Sequence, residues 1–365
     1  MKKHWYNLVF IALSFLVWRF GLFGIQKFSE LFPFVDSFAS EIHPWGNFDG
    51  VHYLLIAKFG YQSLQHAFFL LYPMVFGFVS RGISLDPLTV GIIFSHVSFF
   101  LSLIFIFLIA QKEFSTLVAR WSIIFLLCYP MSFYFASLYT ESMYLLFSTS
   151  TFYAFSKNMY WRSAFMGALA SATRLFGILI PLSLLLEFVA TRKFSGKLFV
   201  ICFFMTFGFI GYLVFLHTHT GDMFAFMHEQ PVFGAGRSGS SVILLPQVLY
   251  RYARIFFTTT PYAMQYWVSV LEVLSFIFAS VVLVLGYMKG IVNRYIYYSA
   301  FVLLLPTLSG TLSSMPRYIV SAFPVFIVLS FLLVRRPIVR YSILFVFLVL
   351  LVVSASMFLR GWFIS

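Results

Sequence analysis

Asp49 stands in the run Trp45-Gly46-Asn47-Phe48-Asp49-Gly50-Val51-His52-Tyr53. A single carboxylate in an aromatic-rich loop between apolar runs suits general-base chemistry on a hydroxyl, because partial burial lifts a carboxyl group towards the working pH. An aspartate at a helix start also serves as a cap, so a structural role stands beside the catalytic one. Arg174 and Arg317 lie in or beside apolar runs, where a charge is costly and marks function by default. A guanidinium pair at headgroup depth suits a lipid phosphate, which it grips in bidentate fashion. The alternative is snorkelling of the charged head to the membrane surface, the reading taken for Arg19. Glu141, in Tyr139-Thr140-Glu141-Ser142, suits pairing with an arginine or binding a sugar hydroxyl. As an early carboxylate at a helix start it would also be favoured by the helix dipole. His43, His52 and His66 are scattered through one loop, and Asp222, His228 and Glu229 lie near one another in another. Neither set has the spacing of a standard metal motif, so no metal is expected. Glu272 lies within an apolar run with no evident partner.

The elements that position these residues follow from composition. The chain has 365 residues, 61% hydrophobic and 10% charged, with a mean hydropathy of +0.95. Soluble domains carry roughly 25% charged residues, so this chain cannot coat a water-exposed globule. The fold class expected is all-α: one polytopic membrane domain over 1–365 with about 11 spans, each near the roughly 20 residues a helix needs to cross. The candidate spans are 5–25, 87–110, 119–138, 141–156, 162–173, 175–191, 198–217, 263–288, 295–313, 317–334 and 341–359. The run 68–80 is short and reads as re-entrant or interfacial. The first run lacks a small-residue cleavage site and reads as an uncleaved helix.

Charge sets the expected orientation. With the N-terminus in the cytoplasm and 68–80 not crossing, every cytoplasmic segment is basic: Lys2 and Lys3, Lys112 and Arg120, Lys157 and Arg162, Arg192, Lys193 and Lys197, Lys289 and Arg294, then Arg335, Arg336 and Arg340. The outer face takes Glu30, Asp36, Glu41, Asp49, Asp86, Glu141, Asp222 and Glu229. The net charge of +13 is thus a topology signal and no sign of nucleic acid. Basic residues flank 162–191 on both sides, so it should cross an even number of times, as two short helices meeting at an outward turn near Thr173-Arg174. Two outer segments are long enough for a site, 26–67 and 218–262. The second holds a Gly/Ser-rich stretch from Gly234 to Ser241, then Leu244 to Phe257, which suits an amphipathic interfacial helix. Cys128 and Cys202 sit in apolar runs as small core residues.

There is no Walker loop, dinucleotide fingerprint or HExxH, which argues against ATP-driven transport and soluble nucleotide cofactors. A membrane transferase is one reading. A transporter of a lipid-linked substrate is another, but it should place polar groups at the midplane and show repeats. A non-catalytic membrane subunit is the third.

Six motifs in order carry a family resemblance: WGNFDGVHYLLIAKFGY (45–61), HAFFLLYPM (66–74), YPMSFYFASLYTESMYLL (129–146), GALASATRLFGILIP (167–181), GDMFAFMHEQ (221–230) and PRYIVSAFPVF (316–326). Together the chain resembles mannosyltransferases related to GPI mannosyltransferase II, of the PIG-V type, within the GT-C class of polyprenyl-phosphate-sugar-dependent enzymes. That family usually has Trp-Asp or Arg-Trp-Asp before the His-Tyr pair; here Asn47-Phe48-Asp49 keeps the aspartate and changes its neighbour. The chain is shorter than eukaryotic members, which points to a prokaryotic relative in the plasma membrane. In a eukaryote the site would be the ER membrane. The resemblance implies inverting mannosyl transfer at the outer face, from a polyprenyl- or dolichyl-phosphate donor to a glycolipid, glycan or protein acceptor. It implies no cofactor, and it leaves open a partner subunit. Asp49 would take the acceptor proton, and Arg174 and Arg317 would stabilise the departing phosphate. Glu141, His66, His52, Asp222 and His228 would be substrate contacts.

Overall fold

The computed structural model describes residues 2–31, 43–192, 195–234 and 236–364, with side chains from Trp5 onwards. Asp36, Glu41 and Lys193 fall outside the described residues, as do the side chains of Lys2 and Lys3. Among the described residues the secondary structure is helical, with no strand. In chain order the helices are α1 (Lys2–Ser29), α2 (Asp49–Phe59), α3 (Leu71–Ile83), α4 (Pro87–Glu113), α5 (Thr116–Cys128), α6 (Glu141–Ser156), α7 (Tyr160–Thr173) and α8 (Leu179–Ala190). They continue as α9 (Gly196–Met205), α10 (Phe207–Thr220), α11 (Ala225–His228), α12 (Leu245–Thr258), α13 (Met264–Met288) and α14 (Asn293–Thr307). The last three are α15 (Met315–Ser321), α16 (Pro324–Leu333) and α17 (Pro337–Leu359).

By length and composition, four helices suffice to cross a membrane: α1, α4, α13 and α17. Two bent pairs raise this to six, α9 with α10 at 44° and α15 with α16 at 85°. The remaining expected runs also form helices, but shorter ones, such as α5 and the segment Leu175–Ala190. Large apolar side chains stand exposed along the long helices, among them Val17, Phe20, Val284 and Phe345. Apolar surface on that scale needs a lipid partner. The chain is a multi-pass integral membrane protein.

Three expected runs break where backbone chemistry requires it. The run 119–138 stops at Cys128, because Pro130 disfavours helical backbone at Tyr129, which is extended at φ −61°, ψ 140°. A 3₁₀ turn, Ser132–Ala136, follows. The run 295–313 ends at Thr307, before Gly310 at φ +90°. The run 317–334 bends ahead of Pro324, which begins α16.

These breaks build the interior. Every residue from Tyr129 to Leu145 is buried. Non-helical backbone at membrane depth is tolerated only where protein surrounds it, and this segment is wrapped by α1, α4, α15 and α17. Its fixed points include Trp18 Nε1 donating to Ser132 Oγ at 3.1 Å and Tyr134 Oη donating to the Ile364 carbonyl at 2.6 Å. The helix pair α7 and α8 meets at Arg174 and a 3₁₀ turn, Leu175–Ile178, the turn expected from charge and length. Close approach of α10 to α7 depends on glycine: a Cβ on Gly208 of α10 would fall 1.9 Å from the Ala168 carbonyl oxygen of α7. Membrane helices use small residues for such contacts.

Candidate active site

Four charged side chains from four separate elements meet in one array. Arg317 is central. Its Nη1 donates to Asp49 Oδ2 at 2.6 Å, and its Nε donates to Glu141 Oε1 at 2.5 Å. The same Glu141 oxygen lies 2.6 Å from Arg174 Nη1. The order is therefore Asp49, Arg317, Glu141, Arg174, with two positive and two negative charges. Burial is graded along it. The Glu141 side chain is 0% exposed and that of Arg317 7%, whereas those of Arg174 and Asp49 are 12% and 26% exposed. The ends of the array reach space and its middle does not.

Each member sits where a helix begins or ends. Asp49 and Glu141 are the first residues of α2 and α6, where the helix dipole favours a carboxylate. The residues ahead of them, Phe48 and Thr140, supply no side-chain cap, and both carboxylates pair with arginine. Arg174 occupies an extended linker residue between α7 and the 3₁₀ turn, at φ −154°. Arg317 lies in the first turn of α15. Paired in this way, neither Arg174 nor Arg317 is a snorkelling residue. Arg19 lays its guanidinium over Trp45, 5.4 Å from the ring centroid.

Two tyrosines box Arg317, with ring centroids 4.8 Å (Tyr134) and 4.6 Å (Tyr139) from its Cζ. A cation over a desolvated ring is stabilised by about 2 kcal/mol or more. Tyr139 also fixes the Asp49 loop, since its Oη donates to the Asn47 carbonyl at 2.8 Å. Leu138 N–H donates to the Trp45 carbonyl at 2.8 Å, and Asn47 Nδ2 donates to the Phe358 carbonyl at 3.0 Å. Phe48 holds the left-handed φ of +55°, unusual for a bulky residue. Its ring packs on Phe358 and Phe363 at 5.7 and 5.2 Å, so the surrounding structure imposes the conformation that turns Asp49 towards Arg317. Strain of this kind, about 1–3 kcal/mol per residue, gathers at functional sites.

His52 lies three residues after Asp49, on the same face of α2. Its ring stacks on Phe68 at 4.7 Å and meets Phe233 edge-on at 5.6 Å. Burial lowers its pKa, and the nearby Asp49 charge opposes that in part. His66 is elsewhere: its N–H and its Nδ1 both reach the Glu229 carboxylate at 2.7 Å. Asp222 and His228 pair with each other at 2.6 Å in an exposed position. The hydrogen bonds of Asp222 with His228 and with the Phe224 N–H lower its pKa. Among the described residues no hydrogen bond or ion pair joins His66, Asp222 or His228 to the four-charge array. They mark the edge of the second long loop, which His66–Glu229 and Phe233–His52 tie to the first.

Tyr134, Tyr139 and Asn47 carry structural work that residue types alone do not single out. The one signal in the sequence is the aromatic residue just before Thr140-Glu141.

Comparison with known proteins matches residues 28–206 to the mannosyltransferase (PIG-V) family model. No curated protein matches the chain. Among solved structures, ArnT from Cupriavidus metallidurans, bound to undecaprenyl phosphate, is similar at a TM-score of 0.53 and 15% identity. The alignment covers 92% of this chain and 61% of that one, so the chain spans under two thirds of the length of ArnT. The shared architecture is the GT-C fold. The match across residues 28–206 holds Asp49, Glu141 and Arg174, and over that stretch the chain is similar to the mannosyltransferase (PIG-V) family.

Proposed function

We propose that this protein transfers a mannosyl residue from a polyprenyl- or dolichyl-phosphate donor to a lipid-linked or glycan acceptor at the outer membrane face, with inversion at the anomeric carbon. The observation that carries this reading is the Asp49–Arg317–Glu141–Arg174 array, buried at its centre and accessible at Asp49. The family match over residues 28–206 supports the sugar, and ArnT, whose structure holds undecaprenyl phosphate, supports the carrier class.

Asp49 is the general base. Arg317 holds its Oδ2, and among the described residues nothing bonds Oδ1. Oδ1 takes the acceptor hydroxyl proton as that oxygen attacks the anomeric carbon. The bond from the anomeric carbon to the phosphate oxygen breaks, and the carrier leaves as polyprenyl phosphate. Phosphate is a good leaving group, so the site needs charge stabilisation more than a proton donor. Arg174 is the better placed guanidinium for that charge, being more exposed and committed to one carboxylate only. Arg317 has two nitrogens committed to carboxylates and orients them. Glu141 keeps both arginines in place. His52, beside Asp49, and the exposed Asp222–His228 pair are the candidate sugar contacts, while His66 acts through Glu229.

The test is incubation of the purified protein in nanodiscs with synthetic polyprenyl-phosphate mannose and a glycolipid acceptor, following release of polyprenyl phosphate. Time-dependent release is expected. Absence of release with mannosyl donors and with their glucosyl and galactosyl counterparts would overturn the reading.

A further inference from the structure

A second buried polar centre lies in the 311–314 turn, just ahead of Arg317. Glu272, within the long apolar helix α13, is 5% exposed. A carboxylate inside a span is costly and is retained for a reason. Its Oε2 accepts from Tyr252 Oη at 2.5 Å, and its carboxylate also accepts from the backbone N–H of Ser314. Tyr252 comes from α12, where Val248 and Tyr252 form the buried side of an amphipathic helix. The Tyr252 hydroxyl in turn accepts the Leu312 N–H at 3.1 Å and lies 3.2 Å from Thr311 Oγ1. Two side chains from two other helices therefore hold the backbone of the turn 311–314.

That turn aims Arg317. Ser314 is its last residue and adopts the left-handed φ of +65°. Such a conformation persists at a residue other than glycine only when the surroundings over-determine it, and the Ser314 N–H on Glu272 is one such restraint. Helix α15 begins at Met315, and Arg317 lies in its first turn. Rotation at Ser314 would swing the Arg317 guanidinium away from Asp49 and Glu141. A misplacement of about 1 Å costs on the order of 100-fold in rate where catalysis depends on orientation.

We propose that Glu272 is a positioning residue: with Tyr252 it fixes the 311–314 turn and so holds Arg317 where it orients the Asp49 carboxylate. The proposal rests on Asp49 and Arg317 forming the catalytic pair. Its consequence is that kcat depends on a carboxylate held in α13, outside the four-charge array.

The experiment measures donor KM and kcat in nanodiscs for the native protein, Glu272→Ala, Glu272→Gln and Tyr252→Phe, per folded molecule. Glu272→Ala is expected to lower kcat by about 10- to 100-fold with the donor KM unchanged within about twofold. Glu272→Gln, which keeps the size of the side chain and one accepting oxygen, is expected to recover part of the rate. Tyr252→Phe should fall between them. A fall in folded yield with unchanged kcat in the alanine variant would overturn the proposal, as would a glutamine variant no better than alanine. Activity is not the only readout. A cryo-electron microscopy structure of Glu272→Ala should show Arg317 beyond hydrogen-bonding distance of Asp49, and an Arg317–Asp49 hydrogen bond still in place would overturn the proposal. Native protein inactive on every donor, with the Arg317–Asp49 hydrogen bond broken in the variant, would sink the transferase reading and leave the positioning intact.

Discussion

Glu141 has the most to lose from substitution, because two guanidiniums depend on it. Both its partners are largely buried, and Arg317 is bonded to it through Nε. Burying four charges is expensive, and the array is stable only while each charge faces its opposite. Glu141→Gln removes the negative charge from the centre and leaves Arg174 without a counter-ion. Breaking a buried pair costs about 3–5 kcal/mol, so the variant should show a clear drop in thermal midpoint alongside loss of transfer. A midpoint equal to that of the native protein would show that the array is not held as described.

His52 carries the pH dependence that can be assigned to one residue. Burial lowers its pKa from the ordinary 6.5. Below 6.5 the unfolded chain binds a proton that the folded protein resists, so the contribution of His52 destabilises the fold as pH falls through and below that value. Above it both states are neutral and the effect vanishes. Replacing His52 by Phe keeps a ring against Phe68 and removes the titration. The thermal midpoint of the variant should therefore fall less between about pH 7 and about pH 5 than that of the native protein. Identical slopes would rule out a contribution from His52.

At the scale of elements, much of the helical map is legible in hydropathy alone, and the exceptions have physical causes. The run 119–138 reads as one helix because an apolar scale does not register Pro130, yet that proline ends α5 and frees the Tyr129–Leu138 backbone to build the site floor. The same blindness merges the segments on either side of Pro324. The pair of short helices around Arg174 is legible, since basic residues on both flanks require an even number of crossings. The amphipathic helix after Leu244 is legible too, from arginines set among apolar residues. The count of spans is less so: α5, α7 and α14 are apolar but short, and length is what decides a crossing. The candidate residues Asp49, Glu141, Arg174 and Arg317 are each legible from charge in an apolar context. Their pairing is not, because Asp49 and Arg317 are 268 positions apart and nothing local encodes their hydrogen bond. The pairing of Glu229 with His66 is silent in the sequence for the same reason, with 163 positions between them.

For the whole molecule, orientation across the membrane is the property on which function depends. Basic residues concentrate at and just beyond the C-terminal ends of α4, α6, α8 and α16, and such residues stay in the cytoplasm. In the proposed orientation the array and the second long loop face outward, where a lipid-linked sugar and its acceptor would meet at headgroup level. Single cysteines test this. The native Cys202 is buried and Cys128 partly so, which keeps background labelling low. A cysteine at Ser240, exposed in the second long loop, should react with a membrane-impermeant maleimide in intact cells. One at Lys157, exposed beyond α6, should react only after permeabilisation. The reverse pattern would place the site on the cytoplasmic face.

The proposed reaction depends on Asp49 removing the acceptor proton. The decisive experiment compares the native protein with Asp49→Asn in nanodiscs, following mannosyl transfer from a polyprenyl-phosphate donor together with binding of that donor. Asparagine keeps the size of the side chain and loses the basic carboxylate, and general-base catalysis contributes about 10²–10⁴-fold. A loss of transfer in that range, with donor binding retained, is expected for the variant. Transfer at the native rate would rule out Asp49 as the base.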